Sequence, residues 1–168
     1  GNGLAMHDLG RMLLTGQGCD RDEEAAQEWF LKAYNAFFQM EQNAENPGYW
    51  QYRLGRMHAM GYGVEQDDTE AAEWYEQAVE WRNPFAAYAL GSMYHRGQGV
   101  PQDDDEAFRL LKLAAEHPTK PNAYANSSWA GCVMIQMKLK SGIGWRTRIS
   151  SALNKNSRMT SCFTVWDP

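Results

Sequence analysis

One short pattern, met three times, limits this chain more than anything else in it. Leu9-Gly10, Leu54-Gly55 and Leu90-Gly91 are each followed six residues later by a Gly-x-Gly loop, at Gly16/Gly18, Gly61/Gly63 and Gly97/Gly99, and then by an acidic run. Self-similarity at a period of this length marks an array of stacked units. A single unit cannot bury its own apolar face, so neighbours must complete each other's core.

Each unit reads as two antiparallel helices, and the fold class expected is all-α, an α-solenoid of helix pairs. In the third unit Ala86, Leu90, Gly91 and Tyr94 fall on one face of a first helix, helix A. Gly97 can end it in the left-handed conformation that L side chains resist. Asp103 or Asp104 then opens helix B, where a carboxylate accepts bonds from orphan amides and complements the positive helix end, and Glu106 adds the same sign. The helix-B stripe of Ala107, Leu110, Leu111 and Ala114 is matched by Ala71, Trp74, Tyr75 and Ala78 and by Ala26, Trp29, Phe30 and Ala33. These are expected core positions.

The run Ala-x-x-x-Leu-Gly-x-x-Tyr-x-x-Gly-x-Gly-Val-x-x-Asp, then Ala-x-x-Trp-Tyr-x-x-Ala, resembles the Sel-1-like repeat, a relative of the tetratricopeptide repeat. The resemblance covers roughly residues 4–118. Repeat one departs from it, with Leu13 in place of the Tyr, Cys19 in place of the Val, and a longer exit. Such a likeness implies a scaffold or adaptor without catalysis of its own, and it names no partner.

The solenoid is expected over residues 1–118, with repeats at about 4–42, 49–82 and 85–117. Leu9 and Leu54 are 45 residues apart, against 36 between Leu54 and Leu90. The nine extra residues lie in 35–46, and Phe37, Phe38 and Met40 keep the helical period, so they are expected to lengthen helix B until Asn46-Pro47-Gly48 breaks it.

Charge divides the chain in the same place. Residues 1–118 carry −11 and residues 119–168 carry +6, for the overall −5. A fourth Leu-Gly is due after Asn122-Ala123-Tyr124-Ala125, but the chain reads Asn-Ser-Ser-Trp-Ala-Gly-Cys there, and acidic residues vanish until Asp167. A one-nucleotide change of phase through Ser128-Trp129-Ala130-Gly131-Cys132 forces a Gly and permits Leu-Gly-Arg-Met, so residues after Ala125 are expected to be a degenerate or frameshifted fourth repeat. The other reading is an authentic basic tail, with a helix through residues 129–140 capped by Ser127 or Ser128 and weak order beyond it.

No apolar run is long enough for membrane insertion and no secretory signal is seen. The chain opens Gly-Asn-Gly without a Met, which suggests a fragment or processed product. Cys19, Cys132 and Cys162 are odd in number and widely spaced, which argues against a disulfide framework and mildly for a reducing, cytoplasmic compartment. Cys19 is expected to be a small buried apolar residue.

Metal, cofactor and catalytic readings find little support. Asp103-Asp104-Asp105-Glu106 lacks the alternating oxygen ligands, central Gly and final Glu of a calcium loop. His7, His58, His95 and His117 show no i, i+4 pairing around a Glu, and surface or half-buried helix positions are expected for them. The Gly-x-Gly loops follow helices, not strands, so a phosphate cradle is not indicated.

Binding is expected on helix A, which lines the concave side in solenoids of this kind. Its off-core positions vary while the core repeats: His7 and Arg11 in the first unit, Tyr52, Arg53 and Arg56 in the second, and Tyr88, Ser92 and Arg96 in the third. Arg and Tyr are common binding anchors, and several Arg on an acidic array suit an acidic or carboxylate-terminated peptide. Two other readings are open to the sequence. The array also resembles, weakly, repeats appended to bacterial plasmid-mobilisation relaxases, which would make it an accessory region of a larger enzyme. Nucleic-acid binding through the basic tail is opposed by the acidic array. Uncapped solenoid ends leave oligomerisation open.

Overall fold

The computed structural model describes residues 2–116, which form six helices and no strand. Helices α1 (Gly3–Thr15), α3 (Gly48–Met60) and α5 (Pro84–Arg96) are the A helices; α2 (Glu23–Asn43), α4 (Asp68–Glu80) and α6 (Asp104–Glu116) are the B helices. Residues 117–168, and with them the expectations for the fourth repeat, the tail, His117, Cys132 and Cys162, lie outside the described residues. No helix among the described residues is long and apolar enough to cross a membrane.

The local signals work as their chemistry demands. Asp22 accepts from the Ala25 amide, and Asp67 from Thr69 and Glu70, at 2.8–3.0 Å. Asn2 and Asn83 do the same for α1 and α5, whereas Pro47 leaves α3 without a side-chain cap. Each A helix stops on a glycine, Gly16, Gly61 or Gly97, with φ between 65° and 68°. That conformation costs other L residues roughly 1–2 kcal/mol.

Within each pair, the helix-A glycine lets the B helix lie close. A Cβ on Gly10 would sit 2.7 Å from the Phe30 ring, one on Gly55 2.8 Å from Tyr75, and one on Gly91 3.0 Å from Leu111. Phe30, Phe37, Leu54, Met57, Leu110 and Leu111 are fully buried. Each is worth about 1.5–3 kcal/mol of transfer free energy. Trp29 and Trp74, expected in this core, are only half-buried, while Leu110 at the matching position is fully covered.

The extra residues enter α2 as helix: it runs 21 residues against 13 for each other helix. At the matching point α4 has already ended, and Arg82 takes a left-handed φ of 57°. The long helix changes how the second pair stacks on the first. A Cβ on Gly99 would meet the backbone of Asp68 and Thr69, at the start of α4, whereas one on Gly63 would meet Phe30 and Leu31, well inside α2. Leu31 corresponds to Glu76 in the second pair, two helical turns beyond Thr69. The second pair is therefore slid along the first by about 10 Å relative to the way the third sits on the second.

Two sequence expectations fail here for identifiable reasons. Cys19 is exposed, not buried. The loops after α3 and α5 lie against the preceding B helix, and Val64 and Val100 pack on apolar clusters; the loop holding Cys19 has no earlier pair among the described residues to lie on. His7 and His58 are likewise buried, each 5% exposed, because neighbouring pairs close over them.

Candidate functional site

The A helices present one stripe at i, i+3, i+4 and i+7 spacing. On α3 it runs through Tyr49, Tyr52, Arg53 and Arg56. The opposite stripe, Gln51, Leu54, Gly55 and His58, is buried, so the first stripe faces outward. Tyr52, Arg53 and Arg56 are half-buried and Tyr49 is 42% exposed. The Tyr52 ring lies 6.0 Å from Tyr75 and stacks at 5.6 Å on Phe85, which joins α3 to α5 along this face.

Arg53 holds its guanidinium 5.0 Å above the Phe37 ring, on the added turns of α2. Phe37 also stacks on Trp50 at 5.7 Å, and Gln51 donates to Glu41 at 3.0 Å, so the base of the site is fixed by the lengthened helix. Burial, and then the like charge of Arg56, lowers the pKa of Arg53, although Tyr49, Tyr52 and Asp8 act the other way.

The remaining expected residues divide. His7 is not on the surface: its ring is 5.6 Å from Phe30 and 6.2 Å from Tyr62, which itself stacks on Phe30 at 4.3 Å. Burial and the nearby Arg53 push its pKa down to about 4, against weaker support from Asp8, so it is neutral near pH 7. His7 belongs to the packing under the face, where no partner could touch it. Arg11 is exposed on α1. On α5, Tyr88 is half-buried against α6, Ser92 is half-buried, and Arg96 is exposed and donates to Gln98 at 3.4 Å.

Tyr49 and Phe85 complete the face but were absent from the sequence expectation. They occupy the first helical turn at the position of Leu4, and the same i, i+3 spacing that picks out Tyr52 would have found them. His58 has a structural place: its Nε2 lies 3.2 Å from the Tyr34 hydroxyl and its Nδ1 3.5 Å from Glu70, linking α2, α3 and α4. Among the described residues, no group of three His, Cys, Asp or Glu is placed to hold a metal ion.

Charge is sorted by helix type. The three A helices carry four Arg (Arg11, Arg53, Arg56, Arg96) and one acid, Asp8, while the B helices carry thirteen acids and three bases. The acids that open the B helices are helix-start residues, and no A helix has an acid in its first turn.

Comparison with known proteins places these features in a family context. The family profile described as Sel1 repeat matches residues 3–36, 51–80 and 84–118. Among solved structures, a Sel1 repeat protein from Oxalobacter formigenes is 29% identical, with 74% of this chain and 87% of that one covered and a TM-score of 0.47. The protective antigen c5321 of uropathogenic Escherichia coli, described as displaying an SLR fold, is 25% identical with a TM-score of 0.55; the match covers 96% of this chain and 31% of that one. Helicobacter pylori cysteine-rich protein B is 19% identical over 70% of this chain and 84% of its own, with a TM-score of 0.43. No curated protein matches the chain.

Proposed function

The chain belongs to the Sel1 repeat family, whose members are generally protein-interaction scaffolds, and on that premise we propose that it is a non-catalytic adaptor. It holds a peptide or partner domain on the face made by α1, α3 and α5. The observation that carries this reading is the sorting of charge: four Arg against one acid on the A helices, beside B helices with thirteen acids. A face of Arg and Tyr on a rigid helical support combines contact area with directed donors, as binding anchors do. Its sign favours a partner with acidic groups, and the surrounding negative array disfavours nucleic acid.

Panning a random peptide library against the full chain, then mapping bound peptides by hydrogen–deuterium exchange, tests the proposal. Protection concentrated on α1, α3 and α5 is expected, with affinity falling about tenfold in the Arg11→Glu, Arg96→Glu double variant. Protection confined to α2, α4 and α6 would overturn it.

A further inference from the structure

We propose that Arg53 and Arg56 together form a carboxylate-binding pair, where the second helix pair steps along the first, that receives the acidic residues of a peptide partner. The proposal rests on the reading of the helix-A face as the binding face, and it assigns that face its anchor.

The two guanidiniums stand one turn apart on α3, half-buried. Neither meets a carboxylate within ion-pairing distance among the described residues. On the B-helix side, by contrast, Arg21 pairs with Glu23 and Arg109 with Glu106. In a segment with twenty acids against nine bases, this repelling, partly desolvated cation pair feels the Asp8 carboxylate of α1 only through space and forms no ion pair with it. The pair is also held in place. Phe37 lies under the Arg53 guanidinium, and the stack of Phe37 on Trp50 fixes that ring. A planar guanidinium already oriented on an aromatic face loses little freedom when it takes a carboxylate through two parallel N–H donors.

Charge selects the occupant. Two cations framed by acidic B helices suit a short segment with one or two carboxylates and repel an extended polyanion. Residues 119–168 of the same chain carry +6, the wrong sign to fill the position. The exposed Tyr49 one turn before Arg53 offers such a segment an aromatic contact.

The Arg Nε–H NMR signals of the full chain, titrated with a hexaglutamate peptide, test this directly, with hexaglutamine and inorganic phosphate as separate arms. Saturable shifts confined to Arg53 and Arg56 are expected from hexaglutamate alone. The His7 ring, which feels Arg53, should titrate at a higher pH in the saturated protein, because the bound carboxylate offsets that charge. Arg53→Gln and Arg56→Gln should each weaken binding about tenfold with helicity unchanged. Equal shifts at Arg11 and Arg82, or an Arg56→Gln protein that binds hexaglutamate like the parent, would overturn the pair. Phosphate shifts as large as those from hexaglutamate would overturn the peptide assignment. Panned peptides that protect the helix-A face yet bind both variants normally would sink the pair and leave the adaptor reading standing.

Discussion

The two junctions between helix pairs use the same parts differently. At the second junction, α5 stands almost level with α3: the Asn83 side chain donates to the Gly48 carbonyl at 2.9 Å, and Phe85 stacks on Tyr52. At the first, α3 is displaced, so that Tyr62, beyond the end of α3, lies beside His7 while Trp50, near its start, reaches Phe37. The cause is local. The added turns of α2 carry an apolar residue, Phe37, where α4 turns away at Arg82, and α3 packs on the surface that those turns provide. A short insertion in one element thus changes the register of a whole interface while each pair keeps its internal packing. It also brings Arg53 over an aromatic ring, whereas Ala89 occupies the matching place on α5.

Removing the ring that the first junction is built on should have the largest effect. Phe37→Ala deletes a fully buried aromatic and should cost about 4 kcal/mol in urea unfolding. A loss below about 1 kcal/mol would show that α3 does not depend on the added turns. Next come the loop glycines. Gly99→Ala should cost about 3 kcal/mol, because its Cβ would lie 2.2 Å from a backbone oxygen as well as at positive φ. Gly18→Ala, whose Cβ finds only the Met12 side chain at 3.6 Å, should cost about 1 kcal/mol from backbone strain alone. Equal losses would remove the distinction between a loop that stacks on an earlier pair and one that does not.

The third contrast is titration. Well above pH 6.5, His7 is neutral in both folded and unfolded chains and contributes no pH dependence. As pH falls through about 6.5 the unfolded His binds a proton that the folded one, at about 4, refuses, so stability declines down to pH 4 and the penalty is constant below it. Asp8, Arg53 and Arg56 are the charged groups that bear on it. The decline should approach about 3 kcal/mol, and His7→Phe should abolish that component in urea melts between pH 7 and 4. The matching place in the next pair holds Tyr52, which carries no imidazole. An unchanged pH profile in His7→Phe would break the contrast.

Much of the scaffold was readable from single residues. Gly16, Gly61 and Gly97 stop helices because only glycine takes that backbone freely, and Asp22, Asp67 and Asp103 start them because a carboxylate caps bare amides. The α2 extension was readable too, from the period of Phe37 and Phe38. His7 is buried where a surface or half-buried position was expected, and Cys19 is exposed where burial was expected, because what covers or bares them is another helix pair and not their own sequence neighbours. Tyr49 was legible as well, because it stands three residues before Tyr52 on the same helical stripe.

The sequence by itself determined the repeat, the helix ends, the inward faces and the placement of acids on B helices, all of which follow from interactions within about one helical turn. Only the tertiary structure decided how far one pair slides on the next, and hence that His7 is covered, Cys19 is open and Arg53 lies on Phe37. Stacking register depends on which surfaces of two separately formed pairs fit together. That fit is a sum of many weak contacts across the junction, and no local pattern records it.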